Sequence, residues 1–268
     1  MTPAPLVDTH CHLALLKDRG LLEQALDGAA AAGVTAIVTV GVDLADSDRN
    51  RRIAEAHDGV WFTVGWDPQQ SRAPDAAEVA ALAELLRHPR AVAVGEVGID
   101  LFFRPGYHET PCEVQERSLH TMLELAADQD KPVVIHDRDA HPEVLASLEA
   151  FPSVVGLMHC FTGDEAHMQR CIARGFAVSF AGIVTFRRSD DVQAAASTVR
   201  DDMYVVETDA PFLTPVPHRG TVNLPERVAD TARRVAELRD ISEDEVRTQT
   251  TANARRILRL PEHGVVRS

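Results

Sequence analysis

"PLVDTHCHLALLKDRGLLEQALDGAAAAGVTAIVTVG", residues 5–41, contains the unit from which the whole chain is built. It opens on a short β-branched apolar run, passes through a segment whose Leu and Ala residues recur three and four apart, and closes on a second β-branched run. The outer patterns suit strands and the middle one an amphipathic helix, an arrangement that sets the two strands parallel. The alternation continues. Candidate strands cover 5–10, 34–41, 60–65, 91–98, 132–136, 154–159, 175–182 and 203–209. Segments with helical spacing include 20–33, 76–88, 113–129, 140–150 and 164–175, the last closing on Gly175 as a C-cap would.

Eight strands with intervening helices predict an α/β protein closed into a (β/α)8 TIM barrel. An open doubly wound sheet is the rival, but no Gly-rich phosphate fingerprint follows the first strand. Residues 223–260 are expected to supply the last barrel helix and one extra C-terminal helix. Ser242 and Glu245 have the spacing of a capping box at the start of that extra helix. The closing "PEHGVVRS" reads as a loose tail. No linker, repeat or low-complexity tract divides the sequence, so residues 1–268 are expected to form one domain.

The formal net charge of −14 argues against a protein that grips long nucleic acid through a broad basic surface. It leaves room for a small positive pocket, which a bound metal would create without altering the residue count. The four cysteines form no C-x-x-C pair, and a chain of this size needs no disulfide staples, which suits a reducing cytoplasm. The N-terminus lacks a basic start followed by a long apolar run, and no apolar stretch approaches the roughly 20 residues that span a bilayer. The expectation is a cytoplasmic protein with no membrane partner. The sequence leaves its oligomeric state open.

Ligand-type side chains stand where the predicted strands end. His10 and His12 close the first, with the same orientation, while Cys11 between them turns the opposite way into the barrel wall. Glu96 closes the fourth strand, His136 the fifth, His159 the sixth and Asp209 the eighth. Any one of these could be an ordinary polar residue where a strand meets solvent. In a barrel, however, the strand C-termini converge on one face. Four imidazoles and two carboxylates desolvated together would be costly without cations to compensate. The pattern predicts a metal site.

The motifs "DTHCHL", "GEVGID", "VVIHDRDA", "HCFTG" and "ETDAPFL", in this order, resemble those of the TatD family, metal-dependent hydrolases of the amidohydrolase superfamily, many described as deoxyribonucleases. "NARRIL" at 253–258 is similar to that family's C-terminal Asn-x-x-Arg motif. The resemblance runs from about residue 6 to 258. It implies a TIM barrel with two divalent metals: His10, His12 and Asp209 would hold the first, His136 and His159 the second, and Glu96 would bridge them. A set of imidazoles and carboxylates suits zinc, manganese or magnesium. Such ions lower the pKa of bound water from 15.7 towards about 7 and neutralise a leaving oxygen. The implied activity is that of a phosphodiesterase, a 3′–5′ exodeoxyribonuclease acting on nucleic acid ends, with Asp209 taking the proton of the attacking water and Glu96 as the second catalytic group.

Other residues carry weaker signals. Arg138 could clamp a substrate phosphate or pair with Asp137 or Asp139. Phe161 could stack a base at the mouth or simply pack, and Asp100 could orient a ligand or cap the following loop. Cys160 is expected in the barrel wall. Asp67 in "VGWDPQQS" stands where the family commonly has a histidine facing the substrate. It would repel a phosphate by about a few kcal/mol, compete as a ligand or serve as an acid. The stretch after "GEVGID" also lacks the paired tyrosines common in the family. Two alternatives therefore accompany the nuclease reading: a dinuclear hydrolase of an amide, lactone or small phosphoester, and a non-catalytic metal-stabilised barrel that serves as a binding protein.

Overall fold

The eight β-branched runs form eight strands: β1 (Leu6–Cys11), β2 (Val34–Thr39), β3 (Val60–Val64), β4 (Ala91–Asp100), β5 (Val133–Arg138), β6 (Gly156–Met158), β7 (Phe176–Phe180) and β8 (Tyr204–Val206). All neighbouring pairs are parallel, in chain order from β1 to β8. The computed structural model describes residues 3–102, 106–261 and 266. Ten α-helices occur among them: α1 (Leu13–Asp18), α2 (Leu22–Ala31), α3 (Leu44–Ala56), α4 (Ala76–Leu86), α5 (Cys112–Asp128), α6 (His141–Glu149), α7 (Glu165–Ala173), α8 (Asp190–Thr198), α9 (Val228–Arg239) and α10 (Glu243–Leu258). This is the TIM-barrel architecture with its additional C-terminal helix.

The sheet closes at a seam between β1 and the segment that follows β8. Cys11 and Ala210 form a parallel bridge. The His12 N–H donates to the Ala210 carbonyl at 2.7 Å, and the Asp209 N–H donates to the His10 carbonyl at 2.9 Å. Thr208 reinforces the seam by donating its backbone N–H and its hydroxyl to the buried Asp8 carboxylate at 2.9 and 2.6 Å. The backbone bonds that shut the barrel thus flank the side chains of His10, His12 and Asp209.

The strands bury both faces, as their near-continuous apolar runs require. Residues such as Phe62, Val94, Ile135 and Val178 pack outward on the helices. The alternate residues Val7, Val38, Val134, Leu157 and Val205 form a second cluster that extends to Ala254 and Leu258 of α10. The extra helix therefore closes the end of the barrel near the strand starts. Asn253 fastens it there, donating to the carbonyls of Asp201 and Tyr204, each at 2.8 Å. Arg256 adds a bond to the Asp202 carbonyl. The Asn-x-x-Arg motif is thus a clasp on β8, remote from the strand C-termini.

Several boundaries differ from expectation. β4 continues to Asp100 because its ladder with β5 runs on through Asp100 and Arg138, so Glu96 lies inside the strand rather than at its end. Gly98 permits that close pairing, since a Cβ there would collide with the backbone of His136. β6 and β8 are three residues each, and Cys160 and Asp209 just beyond them adopt left-handed backbone. Cys11 is buried in the wall as expected, whereas Cys160 is only half-buried. Ser242 does cap α10, accepting from the Glu245 N–H at 3.1 Å. The full reciprocal box occurs instead at Asp75 and Glu78 of α4. Of the tail expected to be loose, residues 262–265 and 267–268 lie outside the described residues, and Val266 is buried. Among the described residues no helix is long and apolar enough to cross a membrane.

Asn253→Ala strips the buried Tyr204 carbonyl and the partly buried Asp201 carbonyl of their donor and should lower stability by about 1–3 kcal/mol. Urea denaturation should show a lower midpoint at an unchanged slope; a midpoint equal to wild type would refute the clasp.

Candidate metal centre

All six residues singled out at the strand ends meet in one cluster. Alternation explains His136 directly, whereas in β1 the register shifts between Asp8 and Cys11, so His10 and His12 turn inward although the inward Val7 lies three residues before His10. His10 and His12 share a face at the end of β1, and His136, two residues beyond Val134, shares its inward face. His159 follows β6 by one residue. Asp209 follows β8 by three and reaches the cluster through the seam bonds.

Glu96 organises the set. Its Oε2 lies 3.4 Å from His10 Nε2 and 3.8 Å from His12 Nε2, while its Oε1 lies 2.7 Å from His136 Nδ1 and 3.1 Å from His159 Nε2. Each carboxylate oxygen therefore faces a different pair of imidazoles. Asp209 Oδ1 completes the first side, 3.3 Å from His12 Nε2 and 3.7 Å from His10 Nε2. The His10 and His159 rings stack at 3.9 Å and link the two sides.

Hydrogen bonding alone leaves this cluster incomplete. Neither ring nitrogen of the fully buried His10 has a hydrogen-bond partner among the described residues. His136 Nδ1 and His159 Nε2 face each other at 3.1 Å while both also face Glu96 Oε1. Imidazole nitrogens and carboxylate oxygens converging from separate elements are what a cation would satisfy, so the donor set fits divalent metal. The titration behaviour agrees. Burial pushes the Glu96 carboxyl up, but the charge of His159 and the close contacts of His136 and His159 outweigh it and hold it well below the carboxylate range. Burial likewise opposes ionisation of Asp209, and the His12 hydrogen bond and charge overcome it. For His10, burial and the charge of His159 depress the imidazole and favour its neutral, ligating form.

The sequence did not expose the groups that orient these ligands, apart from Asp100. Asp100 Oδ2 accepts from His136 Nε2 at 3.1 Å, and Asp100 Oδ1 also caps the loop by accepting from the Phe102 N–H at 2.9 Å. Tyr107 donates its hydroxyl to Asp100 Oδ2 at 2.9 Å. Glu207 Oε1 lies 3.1 Å from His159 Nδ1 and accepts from the Cys160 N–H at 2.7 Å. Its only signal in the sequence was its position two residues before Asp209.

The expected substrate contacts fare unevenly. Phe161 is buried, stacked on His167 and edge-on to Phe180, so it packs inside and offers no face at the mouth. The exposed aromatic beside the cluster is Phe212, whose ring meets His12 edge-on at 5.7 Å. The Arg138 guanidinium lies 3.8 Å over the Phe102 ring, and among the described residues neither Asp137 nor Asp139 pairs with it. Asp67 is half-buried and accepts from Gln70 Nε2 at 2.9 Å. Burial and the neighbouring Glu96 charge push its carboxyl up to about 7.

The chain is similar along its length to known proteins. Residues 7–259 match the model of a family described as TatD related DNase. A Mycobacterium tuberculosis protein named as an uncharacterized metal-dependent hydrolase, TatD, is 39% identical over 257 residues, covering 94% of this chain and 97% of that protein. The Escherichia coli K12 protein named 3′-5′ ssDNA/RNA exonuclease TatD is 34% identical over 187 residues, 69% of this chain and 70% of that one. The crystal structure of YjjV, a TatD homologue of Escherichia coli K12, superposes with a TM-score of 0.88 at 27% identity and covers 96% of this chain and 98% of its own.

Asp100→Asn and Glu207→Gln keep shape but weaken the acceptors behind His136 and His159. Each should reduce metal affinity by about 10- to 100-fold. Competition with a chelator of known affinity measures this, and wild-type affinity in both variants would remove their orienting role.

Proposed function

The chain belongs to the TatD related DNase family and is a metal-dependent hydrolase, and from that premise we propose that it removes nucleotides from the 3′ ends of single-stranded nucleic acid at a dinuclear centre. One observation carries the reading: the two oxygens of Glu96 face separate imidazole pairs. His10, His12 and Asp209 would hold one divalent ion, His136 and His159 the other, with Glu96 shared. Zinc, manganese or magnesium in these places supplies an activated water and positive charge at the leaving oxygen.

The chain's own groups supply the rest. Asp209 is held ionised and faces His12, so it can accept a proton from the attacking water. Arg138 presents a guanidinium fixed by its stack on Phe102, suited to bidentate contact with a terminal phosphate. Phe212 offers an exposed ring for the last base. A concave site at the end of a barrel admits a strand end more readily than an intact duplex. The name of the Escherichia coli relative supports both the substrate and the polarity.

One observation favours a second reading, hydrolysis of a small phosphoester, lactone or amide at the same centre. Asp67 places a carboxyl near Glu96, and its ionised form would oppose a polyanion.

The purified protein loaded with manganese, magnesium or zinc should shorten 3′-labelled single-stranded oligonucleotides, and Glu96→Ala should leave no measurable turnover. Arg138→Ala and Phe212→Ala should each raise KM by about 10- to 100-fold, matching the roughly 1–3 kcal/mol of a charge-assisted contact or a stacked base. Asp67→His should increase nuclease activity. A folded, metal-loaded protein that leaves every oligonucleotide intact but cleaves small esters would move the assignment to the second reading.

A further inference from the structure

Outside the centre just described, a second group of ligand-type side chains lies on the opposite face of β5. His136 points into the barrel, so Asp137 beside it points out towards the helices. His141, the first residue of α6, brings Nδ1 within 2.9 Å of Asp137 Oδ1. His167, in the first turn of α7, brings Nε2 within 3.0 Å of Asp137 Oδ2. The two imidazole rings stack at 4.0 Å and 19°, and one ligand atom from each of the three residues lies within 4.8 Å of the others.

An ordinary hydrogen-bonded cluster accounts for only part of this arrangement. His167 Nε2 and Asp137 Oδ2 do form a hydrogen bond. Asp137 Oδ1 and His141 Nδ1 stand 2.9 Å apart as an ion pair whose alignment falls short of a well-formed hydrogen bond, and both atoms are buried with no other hydrogen-bond partner among the described residues. The Asp137 side chain is 5% exposed. Ligand-type atoms converging from β5, α6 and α7 repeat the arrangement seen in the main centre. Ligand bonds of 2.0–2.2 Å place tetrahedral donors about 3.3 Å apart, a spacing these side chains reach with small adjustments.

We propose that Asp137, His141 and His167 form a separate site for a zinc-class ion that joins β5, α6 and α7. Two imidazoles and a carboxylate suit zinc or cobalt. Cys171, one turn along α7 with Sγ 3.5 Å from His167 Nε2, adds a soft donor that magnesium and calcium would not favour. The His141 side chain is 28% exposed and leaves the ion a path from solvent. Phe161, stacked on His167, connects the site to the segment that carries His159. The ion would therefore fix the outer supports of β5 and β6, the strands that present His136 and His159, without touching substrate.

The test counts zinc per chain by elemental mass spectrometry after loading and desalting. It compares wild type with His141→Ala and His167→Ala, and repeats the comparison in a His10→Ala/Glu96→Ala background that disables the main centre. Each substitution should remove one equivalent from its parent in both backgrounds, whatever number the main centre holds. Zinc should also raise the melting temperature of the His10→Ala/Glu96→Ala parent and leave that of its His141→Ala derivative unchanged. Because His141 is partly exposed at a helix start, its substitution keeps the test valid even where the buried His167→Ala chain does not fold. Equal zinc content with and without His141, or equal thermal response, overturns the proposal.

Discussion

A single carboxylate surrounded by four imidazoles constrains the rest of this molecule. Glu96 is desolvated, and its charge persists only because positively polarised groups face both of its oxygens. Bringing those groups together requires β1, β5, β6 and the segment beyond β8 to end around β4 within a few ångströms. Barrel closure, the length of β4 and the glycine that lets it approach β5 all serve that meeting. In the proposed dinuclear reading, ion binding and folding are then linked, because ligands scattered through the chain form no preformed site when unfolded.

The elements most legible in the sequence were those governed by local periodicity. His10 and His12 could be paired because side chains on a strand repeat every two residues. Eight β-branched runs separated by helical spacing were enough to give the barrel. What periodicity could not give was the reach of individual side chains. Phe161 and Phe212 are both phenylalanines just past a strand, yet one is buried and the other exposed. The difference lies in neighbours contributed by other elements, His167 and Phe180 for the first. Glu207 was overlooked because nothing adjacent in sequence signals that it meets His159, 48 residues away. The Asp137 cluster escaped for a similar reason: its third member, His167, is 30 residues from Asp137 and lies on another helix.

Charge works on two scales here. The net charge of −14 opposes any polyanion at long range. At physiological salt, however, the screening length is about 8 Å, so a strand end already at the mouth responds to the nearest groups rather than to the whole surface. There Arg138 stands free of carboxylate partners among the described residues, beside donors arranged for cations. In the proposed reading, distant acidity disfavours duplex adhering along the flank while a terminal phosphate is still attracted at the centre.

The seam between His10 and Asp209 also bears on how the protein comes into being. A ribosome must translate from His10 through all eight strands to Asp209 before that carboxylate can join the histidines that emerged earlier. A prematurely terminated product lacking that last stretch has an unsealed wall and an unfinished ion cradle together. On the proposed assignment of Asp209, hydrolytic power arrives late in synthesis, and fragments released early carry none of it.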